Sequence, residues 1–145
     1  MKKKSGWSSK ITEKRLKGVV YALLVSFILV IVAISPWGLG TENMSLRQIM
    51  IIFSFASWIL FLILGIILGV LTLKSKVKGK LKAYLLLTGF SSAGFFIAII
   101  LHNLIFALFG VEEAVFFIIA IVICPICFLI GAIGSIVMFR RKRKK

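Results

Sequence analysis

Four long apolar runs, each free of Lys, Arg, Asp and Glu, constrain what this chain can fold into. They cover about residues 18–37, 49–73, 83–109 and 114–139. A helix needs roughly 20 apolar residues to cross the hydrocarbon core of a bilayer, and every run reaches that length. The runs also lack the alternation of apolar and polar residues that is typical of barrel strands. The sequence therefore predicts an all-α integral membrane protein with four transmembrane helices.

The overall composition excludes an ordinary soluble domain. Of 145 residues, 61% are hydrophobic. A soluble fold of this size leaves much of its chain exposed to water, so it could not hide that much apolar surface. We expect a single transmembrane domain over residues 1–145, with little mass outside the membrane.

The net charge of +15 is concentrated in three blocks that separate the apolar runs. The N-terminal tail 1–17 carries a net +6, the linker 74–82 has five lysines, and the C-terminal tail 140–145 has six basic residues. The connections 35–48 and 110–113 are neutral and acidic, respectively. By the positive-inside rule, both termini and the linker are predicted to be cytoplasmic, in a cell membrane. This threading, N-in and C-in, forms two in-out-in hairpins.

The basic blocks also suggest a partner. Lysines occupy every second position from Lys74 to Lys82, so on a helix they would spread over all faces rather than form a shaped site. Each cation close to an anionic leaflet gains about 1 kcal/mol. No recognition motif for nucleic acid accompanies the charge. We therefore expect contact with anionic lipid headgroups and no nucleic-acid binding.

Small residues recur at helical spacing in three of the runs. In membranes such residues allow helix backbones to approach each other closely. They indicate either self-assembly, through the face that carries Gly65 and Gly69, or packing within one four-helix bundle. We prefer packing within one bundle. The candidate packing residues are Gly65, Gly69, Gly89, Ala93, Gly94, Gly131 and Gly134.

The most polar neighbours within the predicted spans are His102 and Asn103, in the stretch "LHNLIF". Glu112 and Glu113 follow across the turn, so the four residues could bind a proton, a cation or a substrate amine. The alternative is an interfacial cap, in which the two acids stabilise the start of the fourth helix. One His with two acids lacks the usual ligand set of a transition-metal site, so no metal is expected.

The stretch "VICPICF" places Cys124 and Cys127 on either side of Pro125. A CxxC pair can act in thiol–disulfide exchange, and its spacing puts both thiols on one helix face. However, Cys124 is about ten residues into the fourth run, roughly 15 Å from its start and so near the middle of a bilayer. We favour a proline-bent, tightly packed helix, opposite the segment 94–98, and keep a redox pair as the alternative.

In size, helix number and threading, the chain resembles small four-helix membrane oxidoreductases that pass electrons from thiols to quinones. The resemblance implies that Cys124 and Cys127 would be the redox pair. Those enzymes carry a second cysteine pair in an outer loop, whereas this chain has only two cysteines. Small proton-coupled multidrug exporters have a similar length but need a carboxylate within the membrane, and the four runs contain none.

The sequence contains no motif for nucleotide, metal or nucleophilic catalysis. We therefore expect a small polytopic membrane protein without a catalytic site or cofactor. It would be an accessory, regulatory or immunity-type subunit that packs its helices against a membrane-protein partner. A homo-oligomeric channel, transporter or pore former is one alternative, and the quinone-linked thiol oxidoreductase is the other.

Overall fold

The computed structural model describes residues 3–34, 44–111 and 114–143. Within these ranges the chain is entirely helical apart from short connections, with no strand. Four helices are long and apolar enough to cross a membrane, which confirms the all-helical prediction at that level. They are α1 (Lys3–Ile34), α2 (Met44–Lys74), α3 (Lys80–Phe109) and a fourth helix, α4, that begins at Ala114 and ends at Arg143.

The helices extend beyond the apolar runs that predict them. The N-terminal tail is helical from Lys3, and α4 continues through the basic residues to Arg143. Helix propagation adds one hydrogen bond per residue, and Lys, Arg and Glu are good helix formers. Once an apolar run has formed a helix, adjoining charged residues therefore continue it.

Two glycines set the ends of α3. Gly79 precedes the helix with φ of 69°, and Gly110 follows it with φ of 65°. The backbone N–H of Gly110 donates to the carbonyl oxygen of Phe106 at 2.9 Å, a left-handed cap that glycine adopts without a Cβ clash. These caps define a linker (75–79) between α2 and α3 and leave residues 110–113 between α3 and α4.

The fourth helix contains a π-helical turn. Its parts are the α-helix Ala114–Ile118, the π-turn Ile119–Ile123 and the α-helix Cys124–Arg143. In the π-turn the N–H of Cys124 donates to the carbonyl oxygen of Ile119, five residues back. Pro125 has no N–H, and in a regular helix its ring would clash with the carbonyl four residues earlier. A wider, π-helical turn therefore lies directly before Pro125, where the sequence predicts a bend.

The helices pack in chain order, α1 on α2, α2 on α3 and α3 on α4, with a smaller contact between α1 and α4. Along α3 and α4 the contacts run in opposite order, because His102 meets Phe117 while Tyr84 meets Gly134. These two helices are therefore antiparallel. Three phenylalanine rings from α1, α2 and α4 close the centre of the bundle, with centroids 4.8 to 5.8 Å apart: Phe27, Phe61 and Phe128.

The buried core fills only part of the length of the bundle. We call the end at residues 75–79 the linker end and the end at Gly110 the turn end. Among the side chains whose burial the structure describes, the last buried ones toward the turn end are Val30, Ser57, Ala98 and Ala120. Beyond them, the described side chains at residues 31–32, 48–49, 51–56, 99–111 and 114–119 are half-buried or exposed. The packed core therefore lies toward the linker end.

Candidate functional site

The α2–α3 contact is built on glycine. A Cβ placed on Gly65 would overlap the Ser92 hydroxyl, and one on Gly89 would lie 3.0 Å from the Gly65 carbonyl oxygen and the Gly69 nitrogen. Ser92 Oγ also donates across the interface to the carbonyl oxygen of Phe61 at 3.4 Å. The face that carries Gly65 is thus occupied by α3 of the same chain.

The α3–α4 contact is as close as the α2–α3 contact. A Cβ on Gly131 would lie 2.6 Å from Thr88 Oγ1 and 2.7 Å from the Thr88 nitrogen. A Cβ on Gly134 would lie 2.6 Å from the Tyr84 ring. The Thr88 hydroxyl cannot easily turn away, because it donates to the carbonyl oxygen of Tyr84 at 2.8 Å. Backbone, rather than movable side chain, limits the space at Gly131.

At the other small residues an added side chain would meet less. A Cβ on Gly69 would meet nothing within 4 Å, and one on Gly94 would meet only Cys124 Sγ, at 3.7 Å. Ala93 is half-buried. The contact between Gly94 and Cys124 agrees with the sequence-based placement of the cysteine stretch opposite residues 94–98.

The polar candidates lie at the turn end. His102 is half-buried, and its ring centroid is 5.4 Å from that of Phe117 on α4. Asn103 is exposed, and its Nδ2 donates to the carbonyl oxygen of Ile99 at 2.9 Å, one turn back on the same helix. Glu112 and Glu113 lie outside the described residues. The proposed four-residue cluster therefore stays a prediction.

Both cysteines are free thiols. Cys124 is buried and Cys127 is half-buried, one turn further toward the linker end on α4. Among the residues that the structure describes, no group of three or more His, Cys, Asp or Glu side chains could hold a metal ion.

Cys124 faces a partly enclosed cavity of about 30 Å³ that all four helices line. The cavity lies at the turn-end limit of the packed core, beside Pro125 and above the rings of Phe27, Phe61 and Phe128. Ser91 contributes the one hydroxyl, which already donates to the carbonyl oxygen of Leu87 at 2.6 Å. The remaining lining residues are Val30 and Phe95.

Sequence reasoning did not single out this cavity or the phenylalanine cluster beneath it. The residues are ordinary members of apolar runs, and only three-dimensional contacts distinguish them from lipid-facing neighbours. A spacing of four residues, from Cys124 to Phe128, was the one available signal that both lie on the same helix face.

Two hydroxyl groups in the core were also not predicted from the sequence. Thr72 and Ser135 are fully buried, and neither Thr72 Oγ1 nor Ser135 Oγ has a hydrogen-bond partner in the described part of the chain. A buried, unsatisfied hydroxyl costs about 1–3 kcal/mol. We expect Thr72→Val and Ser135→Ala to be at least as stable as the natural protein, measured as the free energy of unfolding in mixed micelles. A loss above about 1 kcal/mol in either variant would show that its hydroxyl has a partner.

Four helices of this length and hydropathy are compatible with a multi-pass membrane protein. No protein-family model, curated protein or solved structure matches the chain.

Proposed function

We propose that this chain is a small multi-pass protein of the cell membrane that works by docking onto another membrane protein. Its role is that of an accessory, regulatory or immunity-type subunit rather than an enzyme. Both termini and the linker lie on the cytoplasmic side, and the α3–α4 turn lies outside.

The orientation is supported by the distribution of charge. Four lysines in and beside the linker are exposed: Lys74, Lys76, Lys78 and Lys80. Lys17 Nζ lies 5.8 Å from the ring centroid of Tyr21, an arrangement that suits an aromatic residue at a headgroup boundary. In this orientation the basic blocks meet anionic cytoplasmic headgroups, and no basic block has to be translocated.

The docking proposal rests on the part of the bundle that the buried core does not reach. At the turn end, α2, α3 and α4 are still helical. However, none of their described side chains is buried between the turn end and Ser57, Ala98 and Ala120. In lipid, helices associate through close packing and interhelical hydrogen bonds. Helix surface that is left unpacked within the chain is therefore available for helices of a partner.

Asn103 gives this surface a polar contact point. Its exposed side chain is roughly 10 Å from the end of α3, on an apolar stretch. The bond to Ile99 uses one of its two N–H donors, so the amide can still donate and accept. Asparagine side chains in apolar helices hydrogen-bond across helix–helix contacts, with gains of about 1 kcal/mol. We therefore place Asn103 at the centre of the docking surface.

Site-specific photocrosslinking tests this proposal. A photoreactive phenylalanine analogue at Phe106, next to Asn103 on α3, should crosslink one defined membrane protein in native membranes. The same analogue at Phe90 is the control, because Phe90 lies on the same helix toward the linker end with 59% of its surface exposed, against 51% for Phe106. Phe90 should yield no defined product.

Asn103→Leu should lower the crosslink yield at Phe106 about fivefold, the equivalent of about 1 kcal/mol. Its control is Leu104→Ala, a change at a neighbouring exposed position that removes no hydrogen-bonding group. Equal yields from Phe90 and Phe106 would count against the docking surface. A product that contains only this chain would instead support the oligomeric channel or transporter.

The arrangement of the core gives less support to a pore within one chain. Three rings meet across the centre of the bundle, those of Phe27, Phe61 and Phe128. Their contacts are apolar, whereas a channel would need a polar, hydrated path at this place.

A further inference from the structure

The cavity beside Cys124 has the properties of a binding site for a hydrocarbon chain. Its volume, about 30 Å³, exceeds the roughly 10–15 Å³ that a single water molecule needs. Yet a buried water also needs two to four polar partners. The lining offers the Ser91 hydroxyl, whose proton is already donated to Leu87, and the weakly polar Cys124 thiol. Such a cavity stays dry and favours an apolar occupant.

The cavity is partly open, and its lining phenylalanines mark its linker-end side. Phe27, Phe61 and Phe128 form its floor, with ring centroids no more than 5.8 Å apart. On the turn-end side, the described side chains past Val30 on α1 and past Ala98 on α3 are not buried. We infer that an occupant enters from this loosely packed side, which lies at membrane depth in the proposed orientation.

A π-turn lies directly before the part of α4 that lines this cavity. Residues Ile119–Ile123 precede Cys124 and Pro125, both of which line the cavity. A π-turn displaces the backbone from the regular helical path, and such turns are frequent at functional sites. The irregular segment of α4 thus directly precedes two residues of the cavity wall.

We propose that this cavity binds the end of an acyl chain of a membrane lipid. The occupant must be apolar because the lining is apolar, and it must be narrow because the space is small. It must also be abundant at membrane depth. The methyl end of a lipid chain meets all three conditions, while its headgroup stays at the turn-end surface of the bilayer. This inference uses the proposed orientation but does not depend on a protein partner.

Fluorescence quenching by brominated lipid tests the proposal. Trp58 lies close to the cavity, with its ring centroid 4.9 Å from that of Phe95 in the cavity wall. The protein with Trp7→Phe and Trp37→Phe retains Trp58 as its one tryptophan. We would measure its fluorescence in vesicles of phosphatidylcholine that carries bromine atoms near the chain ends.

Two cavity-filling changes should reduce this quenching, Val30→Leu from α1 and Cys124→Leu from α4. Both residues are buried in the cavity wall. Val137→Leu is the matched control, because it adds the same methylene to an exposed position on α4. We expect each filling variant to lose at least half of the quenching seen in the parent, and Val137→Leu to lose none.

Native mass spectrometry of the same vesicle-reconstituted proteins provides a second readout. The parent and Val137→Leu should retain one phosphatidylcholine per chain, and the filling variants should retain at least fivefold less. Circular dichroism identifies any variant that has lost its helices. If one of the two cavity-filling variants does not fold, the other one is compared with the parent and the control. Equal quenching and equal lipid retention in the parent, the folded filling variants and the control would overturn the proposal.

Discussion

Replacing Gly131 by alanine is expected to destabilise the bundle by about 3 kcal/mol, the upper part of the range for overpacking a core. The added methyl group would lie 2.7 Å from the Thr88 nitrogen and 2.9 Å from the Tyr84 carbonyl oxygen. Both are backbone atoms, so a side-chain rotation cannot relieve the overlap. Helices α3 and α4 must move apart, which weakens the packing that holds membrane helices together.

The matched control is Gly69→Ala, another glycine-to-alanine change within a membrane-length helix. A methyl group at Gly69 would meet nothing within 4 Å. Alanine also has the higher helix propensity, by about 0.8–1 kcal/mol. We therefore expect Gly69→Ala to be neutral or stabilising. The free energy of unfolding in mixed micelles would be compared for both variants, and a similar loss in the two would contradict the close α3–α4 contact.

Phe128→Ala is expected to cost about 2 kcal/mol. The side chain is 1% exposed, and its ring packs against Phe27 and Phe61 at centroid distances of 4.8 and 5.1 Å. In water-soluble proteins, Phe→Ala in a core costs about 3–5 kcal/mol. Part of that cost is transfer from water, which is absent when the alternative environment is lipid. The lost ring contacts and the resulting cavity remain.

The control for this change is Phe90→Ala. Phe90 is on the exposed surface of α3 and makes no ring contact with the phenylalanine cluster. Its removal should change the free energy of unfolding by less than about 0.5 kcal/mol. An equal loss from Phe90→Ala and Phe128→Ala would mean that the cluster does not hold the bundle together.

The number and approximate position of the helices could be predicted from the sequence, because uninterrupted apolar runs are long enough to identify them. The ends of α1 and α4 could not be placed, since charged residues such as Lys14 and Arg141 are helix formers that simply continue the apolar helix. Pro125 predicted a bend, but no sequence pattern indicated the π-turn that directly precedes it.

The candidate site was predictable only in part. Glycine spacing pointed to helix contacts, yet Gly65 and Gly69 look equivalent in the sequence and differ in the structure. A methyl group at Gly65 would overlap Ser92, while one at Gly69 has open space. The difference depends on the crossing of α2 and α3, which no local pattern encodes. The limit of the core at Ala98 and Ala120 is likewise a property of the assembled bundle.

Native mass spectrometry of the protein released gently from its own membranes would show whether this chain docks onto another membrane protein. We expect a stoichiometric complex with a second membrane protein, and we expect Asn103→Leu to reduce the complexed fraction about fivefold. Recovery of the chain alone, or only in complexes with itself, would show that it does not act as a docking subunit.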